Sequence, residues 1–533
     1  MQDNKIYDYI VVGGGSGGCV VTRRLVDAGK RVLLLEAGPA DNSPFIHMPA
    51  TFVRVIGTER TWVYESVEQA HANGRKMYVP QGKTLGGGSS VNAMVYIRGQ
   101  HQDYDGWATD GCTGWDWESV LPYFRKAESN QILSGPLHGT DGPLSVSETR
   151  YRHPLSAAFV RAAQEVGLPH NADFNGAQQA GVGFYQTTTA NGARASTAVT
   201  YLNPVRSNPR LTVVVGALVQ KLIIADGRAT GVVWLDAQGQ RQQATAQHEV
   251  VLAAGALATP KLLMLSGIGP GAQLQKFGIA VQHDLAGVGQ NFQDHLEVSV
   301  YGECKEPISL AGNDQGLRAL AHGLQWKLTR TGLLTSNVVE SGGFVDTNGS
   351  GRPDVQFHVL PVLVGDVDRE PLAGHGISIN PCFLRPESRG SVSLASPDAA
   401  VAAHFDGAFL SKQADVDTLK RGLRLARKIL RAPSLARLMK QELAPAASAE
   451  LSDDALETYV RSRAKTVYHP AGTCRMGSAS RADTVVTPDL RVRGISGLRI
   501  ADASVIPNLV SGNTNAPVVM IAERCADFLL KNR

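Results

Sequence analysis

A glycine run wedged between two apolar runs at the head of the chain restricts its fold more than any other feature. Tyr9-Ile10-Val11-Val12 is β-branched and aromatic, the composition of a short buried strand. Gly13-Gly14-Gly15-Ser16-Gly17-Gly18 follows at once, and Cys19 to Ala28 reads as a short helix. Arg31-Val32-Leu33-Leu34-Leu35-Glu36 is a second apolar strand with an acid at its C-terminal end. Gly13, Gly15 and Gly18 satisfy G-x-G-x-x-G in the strand–turn–helix context that gives this pattern meaning. Gly13 allows the tight turn, Gly15 lets the backbone approach a pyrophosphate, and Gly18 lets the helix pack closely on the sheet. The helix N-terminus offers unpaired N–H groups and partial positive charge to that pyrophosphate. Glu36, about twenty residues on, stands where a carboxylate accepts hydrogen bonds from an adenosine ribose. The pattern predicts a bound dinucleotide and leaves FAD and NAD both open.

With 533 residues the chain is long enough for more than one domain. A net charge of +4 gives no case for nucleic acid as a partner. The six cysteines, Cys19, Cys112, Cys304, Cys382, Cys474 and Cys525, form no C-x-x-C pair. Neither a metal site nor a disulfide framework is therefore expected, and reduced thiols in a cytoplasmic protein fit best. Met1 to Lys5 leads almost directly into the first strand, so no signal peptide is expected. No apolar stretch reaches the eighteen or so residues of a spanning helix, which leaves peripheral association with an inner membrane open. Ala444 to Leu451 reads as a loop, followed by a helix whose N-cap is Ser452. Leu419, Leu423, Ala426 and Leu430 lie near helical spacing among Lys420, Arg421, Arg424, Arg427, Lys428 and Arg431. A docking face for anionic lipid or a partner is one reading of that pattern. The solvated side of an amphipathic helix is the preferred one.

A second glycine cluster, Gly82-Lys83-Thr84-Leu85-Gly86-Gly87-Gly88-Ser89-Ser90-Val91-Asn92-Ala93, is too glycine-rich for a helix interior. Its main-chain N–H groups are free to face a ligand, and the apolar Met94-Val95-Tyr96-Ile97 that follows argues against a surface loop. Val250 to Gly269 reads as a buried strand, a small-residue turn around Gly255, and a helix with Pro260 in its first turn. Leu498-Arg499-Ile500-Ala501-Asp502 is another strand ending in an acid. Nucleotide-fold features thus occur at both ends and in the middle of the chain. They predict an α/β protein with a Rossmann-like, discontinuous cofactor domain and a second domain inserted.

Together these segments resemble the glucose–methanol–choline oxidoreductases, flavoenzymes that oxidise alcohols. The resemblance runs over essentially the whole chain and includes Asp294-His295, Tyr468-His469-Pro470-Ala471-Gly472-Thr473-Cys474, and Asp502 through Ser511-Gly512-Asn513-Thr514-Asn515-Ala516-Pro517. Within the family it is most similar to the dehydrogenases of sorbose, choline and aliphatic alcohols. Ile46-His47-Met48-Pro49, His138-Gly139-Thr140 and Asp173-Phe174-Asn175-Gly176 are nearest the sorbose type. The resemblance implies FAD, bound by residues 1–155, 205–300 and 464–533. It also implies an α+β substrate domain, an antiparallel sheet flanked by helices, from 156–204 and 301–463. It carries FAD contacts onto Gly13, Gly15, Ser16, Gly18, Glu36, Gly87, Asn92, Val219, Asp502 and Asn513. Some relatives tether FAD through a His just before the Asn of the second cluster. Val91 stands there in this chain and has no nucleophilic atom, so FAD is expected to be held non-covalently.

Oxidising an alcohol takes a proton from its hydroxyl and a hydride from its carbon to flavin N5; the protein supplies geometry and a base. His is the natural base, and the resemblance selects His469, stiffened by Pro470, from fourteen histidines. Asn513 is the implied partner that orients the alcohol oxygen. As Asn, it is expected to rule out a shared-proton histidine pair. Asp294-His295 is expected to support the flavin domain, and Cys474 to be packed. Asn337-Val338-Val339-Glu340 and His358 are expected in the pocket wall, where a Glu could bind a cationic or polyhydroxylated substrate or lie on the surface. The implied function is oxidation of a primary alcohol, a polyol such as sorbose or a small aliphatic or aromatic alcohol, with a quinone-like electron acceptor. An oxygen-using oxidase and a lyase with non-redox FAD are the alternatives. Oligomeric state is left open.

Overall fold

The computed structural model describes residues 5–365, 372–446 and 450–531. Its first sheet has seven strands, in the order Leu211–Val215, Val32–Glu36, Lys5–Val12, Arg241–Leu252, Arg228–Leu235 and Leu218–Ala225, with Leu498–Ile500 paired to Arg241–Leu252. The pairings around Lys5–Val12 are parallel, as a strand–helix–strand crossover requires. Arg241–Leu252 serves two neighbours: its first half pairs antiparallel with Arg228–Leu235, and its last three residues pair parallel with Leu498–Ile500. All five residues of Val32–Glu36 are buried, which explains their near-continuous apolar run. The helix after the glycine turn spans Ser16–Asp27, three residues earlier than Cys19, because Ser16 and Gly17 already adopt helical geometry. It packs on the C-terminal helix Asn515–Lys531. Arg24 grips the fully buried Glu523 there, Nη2 to Oε1 2.7 Å and Nε to Oε2 2.9 Å.

The second sheet has eight strands. Met439–Ala444, Val300–Cys304, Gly376–Phe383, Val355–Leu360, Ser341–Val345 and Gly181–Phe184 follow in order, and Leu296–Glu297 pairs both Gly376–Phe383 and Lys465–Thr466. It is antiparallel, with helices Pro154–Glu165 and Gln413–Leu430 against one face. Along Val355–Leu360 the two-residue period is plain. Val355, Phe357 and Val359 enter the core under those helices, while His358 and Leu360 line a cavity on the other side.

The cationic helix is not a solvated face of the ordinary kind. Lys420 is buried and reaches Asp417 at 3.0 Å and Asp453 at 2.5 Å. Arg421 pairs with Asp354, Arg424 with Asp453, and Arg427 and Arg431 both with Glu442. Five of its six basic residues are thus engaged in ion pairs, while Arg424, Lys428 and Arg431 stay on the solvated side. The next helix begins at Asp453, and Ser452 Oγ accepts from Ala455 N as its cap. Of the expected loop Ala444–Leu451, Ala444 closes a strand, and residues 447–449 lie outside the described residues, as do Met1–Asn4.

The segments around His138 and Asp173–Asn175 have a structural task. Arg98, fully buried, donates through Nη2 to Glu128 Oε2 at 2.6 Å, through Nη1 to the Leu137 carbonyl at 2.5 Å, and through Nε to Tyr96 Oη at 3.2 Å. His138 lies between Glu128 at 3.2 Å and Asp173 at 3.0 Å. Asn175 closes the network, accepting from Arg98 N at 2.8 Å and donating to the Tyr96 carbonyl at 3.0 Å. The network anchors the run that follows the second glycine cluster, and none of His138, Asp173 or Asn175 lines the cavity. Burial pushes the His138 pKa down, but its bonds to Asp173 and Glu128 outweigh that and raise it from 6.5 to about 9. The stabilisation is therefore complete below pH 6.5 and disappears as pH rises through about 9. Glu128→Gln strands the buried guanidinium and should lower the unfolding free energy by about 3–5 kcal/mol, read by denaturant titration. A loss that stays near zero would show that the pair carries no stability.

Candidate active site

Three backbone turns meet at the C-terminal ends of the first sheet's parallel strands, where such folds bind ligands. Gly13 sits at φ +100°, and a Cβ there would lie 2.4 Å from the Ala253 carbonyl oxygen. Gly18 packs helix on strand so tightly that a Cβ would come 1.9 Å from the Gly13 oxygen. Gly15 is different: an added Cβ meets nothing nearer than 3.8 Å, and the residue lines the cavity with its backbone bare. The second cluster crosses at van der Waals contact. Gly86 N donates to the Gly14 carbonyl at 2.7 Å, and Gly87, at φ +50°, would drive a Cβ to 2.6 Å from Gly15 Cα. Far from a flexible loop, it forms the short helix Gly88–Val91, with Ser89, Ser90 and Val91 buried.

Glu36 is buried and accepts from Gly14 N and Gly38 N, both at 2.8 Å, one on each carboxylate oxygen. Burial raises its pKa to about 7 against those bonds. Each oxygen keeps a lone pair for a ligand, and the residue lines the cavity. Asp502 clamps the third turn to the C-terminal strand, accepting from Gly255 N at 2.9 Å, Thr259 Oγ1 at 2.6 Å and Ser504 N at 2.9 Å. Ser16 Oγ donates to Asn515 Oδ1 at 2.8 Å, joining the N-termini of the first and last helices. Val219 lies on the edge strand Leu218–Ala225 and faces the same cavity, as does Asn92. Asn92 Oδ1 is taken by Met94 N at 3.0 Å and Arg194 Nη1 at 2.8 Å.

The cavity, about 920 Å³, runs from these turns to the second sheet. His469 and Asn513 stand at the junction. Two strips hold the His469 loop: Lys465–Thr466 pairs with Leu296–Glu297, and Gln293 and Ala471 exchange backbone bonds at 3.0 and 2.9 Å. Asp294 braces it further, accepting from His469 N at 2.8 Å and Thr466 Oγ1 at 2.5 Å. His295 does more than support the fold: its Nδ1 lies 3.0 Å from His469 Nδ1, and its Nε2 lies 2.9 Å from the Leu384 carbonyl. On the other side, His469 Nε2 lies 3.2 Å from Asn513 Nδ2, and Asn513 Oδ1 accepts from Gln356 Nε2 at 3.1 Å.

These contacts assign the protons. A carbonyl only accepts, so His295 Nε2 carries a hydrogen. Burial pushes His295 down to about 4 and His469 well below its usual range, so both rings are neutral near pH 7. A neutral His295 then presents a bare Nδ1, which accepts from His469 Nδ1–H. The proton of His469 is held on the far side, and its Nε2 is unprotonated at the cavity, accepting from Asn513 Nδ2 at 3.2 Å. A histidine does pair with His469, but on the ring nitrogen opposite Asn513.

Val338, Val339 and His358 lie in the cavity wall, whereas Glu340 does not. Glu340 is neither substrate ligand nor surface acid. It is fully buried and accepts from His153 N at 2.6 Å and Ser336 Oγ at 2.5 Å. The buried carboxylate in the substrate-side wall is Glu297, which sequence reasoning passes over. Its Oε2 meets His358 Nδ1 at 2.9 Å, and its Oε1 accepts from Asn380 Nδ2 at 3.2 Å. Burial would raise its pKa, but His358 and Lys465 hold it below the usual range, so it is charged. His358 Nε2 is buried without a partner. The signal for Glu297 was its place two residues after His295 on an extended run. Arg194, also missed, carries no motif. Its Nε bonds the Ile46 carbonyl at 2.7 Å and its Nη1 the Ser89 carbonyl at 3.0 Å, holding the second glycine cluster from beneath. Cys474 is buried, and all six cysteines are free and buried. Among the described residues no group of three or more His, Cys, Asp or Glu could hold a metal.

Family models described as GMC oxidoreductase match residues 7–297 and 386–522. An alcohol dehydrogenase [acceptor] of Pseudomonas putida is 44% identical over 99% of this chain and 96% of its own. The mitochondrial choline dehydrogenase of Homo sapiens is 41% identical over 98% and 89%. Among solved structures, pyridoxine 4-oxidase from Mesorbium loti superposes with a TM-score of 0.88 at 30% identity, covering 98% of each chain. A formate oxidase of Aspergillus oryzae superposes at 0.91 and 27% identity, covering 99% of each.

Glu36→Ala should weaken retention of the dinucleotide while leaving the rate per bound cofactor nearly intact. Cofactor absorbance per chain after gel filtration reads the first, and turnover normalised to that absorbance the second. Full retention would remove Glu36 from the binding site.

Proposed function

The chain belongs to the GMC oxidoreductase family, and on that premise we propose that it oxidises a primary alcohol to the aldehyde with FAD. FAD-dependent oxidation of alcohols is the family's chemistry. The identity of the base, the partner residues, the substrate and the acceptor are our reading. The residues present fit the cofactor: a bare backbone at Gly15, a helix N-terminus at Ser16, Glu36 with spare lone pairs, and Gly87 and Asn92 in one cavity with His469. Bound there, FAD supplies the acceptor for the hydride. Val91 lines the cavity without a nucleophilic atom, which supports a non-covalent complex. Acid or heat should therefore release the flavin from the precipitated chain. We assign FAD binding to 1–155, 205–300 and 464–533, and the substrate wall to 156–204 and 301–463. The membership of the two sheets supports that division over most of its length, but Leu296–Glu297 and Lys465–Thr466, within the FAD-binding segments, pair into the second sheet.

One observation carries the reaction: the ordered chain from the Leu384 carbonyl through His295 to His469. With Nδ1–H donated to His295, His469 Nε2 is unprotonated and can take the hydroxyl proton of an alcohol that displaces the Asn513 Nδ2 bond, leaving Nδ2 to donate to the same alcohol oxygen. His295 is a positioning residue that fixes the tautomer. A positioned base contributes about 10²–10⁴-fold in rate. His469→Ala should lose flavin reduction by that factor in anaerobic stopped flow while staying folded and yellow. Asn513→Ala should lose less, and the pair should be non-additive, since both act on one oxygen.

The pH profile separates positioning from mere packing. Burial first, then His295 and His358, hold the His469 pKa well below 6.5. Activity should stay flat through neutrality and fall only on the acid side, as the base is protonated. His295→Ala removes a neighbour that, once protonated in acid, opposes a second positive charge on His469, so the acid limb should move to higher pH as well as the rate falling. A slower enzyme with an unmoved limb would leave His295 as packing alone.

The substrate wall contributes Val338, Val339, Leu360, Val362 and Leu363, which favours an alcohol with an apolar body. The similarity to the Pseudomonas putida alcohol dehydrogenase supports this reading and, by its name, an acceptor such as a quinone. Glu297 with the unpaired His358 Nε2 favours a second reading, a substrate bearing another polar group, as in a polyol or a choline-like cation. A panel of aliphatic alcohols, sorbose and choline, assayed with a quinone-like dye and separately with oxygen, should rank the aliphatic alcohols first and the dye above oxygen. Choline or sorbose well ahead would reverse the substrate assignment. Flavin left unreduced by every alcohol under anaerobic conditions would point to the non-redox lyase.

A further inference from the structure

The most exposed apolar surface among the described residues lies on one helix, Gly316–Thr329. Leu317 is 83% exposed, Leu320 68%, Leu324 55% and Leu328 71%. At about 100° per residue, these four fall within a stripe about 80° wide. Trp326 lies on the opposite side, is the one buried residue of the helix, and ties it down by donating Nε1–H to the Gly192 carbonyl at 2.7 Å. The stripe is thus held outward by an anchor on its back. Arg318 and Lys327 flank it on either side, and Arg330 follows at the C-cap, stacked on Trp326. Residues 316–330 contain these three cations and no carboxylate.

The helix also brackets the way into the cavity. Leu310, Ala311, Asn313 and Asp314 precede it and line the cavity; Leu333 and Leu334 follow it and do the same. Val53, 54% exposed, lines the cavity beside Arg54, whose Nη2 reaches Asp314 at 3.5 Å. Residues of the cavity wall therefore stand at both ends of the helix that bears the stripe.

We infer that this helix docks the protein on an anionic lipid bilayer, its leucines in the headgroup–acyl boundary and Arg318, Lys327 and Arg330 at the phosphates. An amphipathic helix with a cationic polar face and an apolar stripe is built for that plane. Charge chooses the occupant. A second copy would set the cations of one stripe against the cations of the other, with no carboxylate on either helix to answer them, whereas an anionic membrane answers all three. No helix among the described residues is long and apolar enough to span a membrane, so the association is peripheral. Docked this way, the cavity entrance abuts the bilayer, from which an apolar alcohol or a lipid-soluble acceptor can enter without crossing water.

The test is co-sedimentation of the holoenzyme with vesicles of phosphatidylcholine and phosphatidylglycerol in equal parts, and with phosphatidylcholine alone. The wild type should pellet with the mixed vesicles, more weakly with the neutral ones, and less as salt is raised. The triple variant Leu320→Ser, Leu324→Ser, Leu328→Ser should lower the bound fraction at least about tenfold, because it removes the apolar insertion. It should keep its flavin and its rate on a water-soluble alcohol, because none of the three residues lines the cavity. Arg318→Glu with Lys327→Glu should abolish the preference for anionic vesicles. Wild-type protein left in the supernatant with both vesicle types would overturn the proposal. So would a dimer in size-exclusion chromatography that the leucine variant converts to monomer with vesicle binding unchanged, since the stripe would then belong to a second copy. Binding is read without turnover, so the result stands apart from the reading of the reaction.

Discussion

Everything at the site depends on how closely three stretches of backbone approach one another at the end of the first sheet. Gly13 and Gly15, Gly86 and Gly87, and the Ala253–Gly255 turn occupy a volume that admits almost no side chains. The Gly86 N to Gly14 carbonyl bond joins the first two, and Asp502 ties the third to the last strand. That crossing leaves main-chain N–H groups facing one cavity. It also delivers the segment after Asp502, with Asn513, to its far end. The same closeness accounts for Gly13 and Gly87, where a Cβ would meet backbone, which cannot move aside.

The second constraint is the alignment of protons around His469. An imidazole in a cavity wall is a base only if its bare nitrogen faces the substrate, and a free ring samples both tautomers. Here the Leu384 carbonyl sets the order for two rings in series. Desolvation keeps both neutral, which the order requires. The ladder between Leu296–Glu297 and Lys465–Thr466 holds the two histidines in register, so strand pairing underlies the chemistry.

Polar groups far from the reaction divide by the partners that the fold finds for them. The basic residues of Gln413–Leu430 resemble a lipid-binding face in one dimension, but in three Lys420 and Arg427 turn inward to buried ion pairs. Gly316–Thr329, which carries no motif, keeps its leucines in the open because only Trp326 finds a place in the core. His138 and Asp173, conspicuous in sequence, buttress Arg98 and do not touch the cavity.

The local order of residues was enough to read the glycine turn with its flanking strands, the capped helix after Ser452, and the Rossmann-like sheet gathered from three parts of the chain. Each rests on short-range rules: φ freedom at glycine, a two- or 3.6-residue period, a side chain reaching back to its own helix. Resemblance singled out His469 and Asn513. The folded chain alone decided that His295 stands behind His469, that Glu297 and not Glu340 carries charge into the substrate wall, and that Arg194 lies under the second glycine cluster. Those contacts join residues 174, 61 and 105 positions apart in sequence. No local pattern encodes a partner at that distance, because the partner is set by which strands pair and which faces they bury.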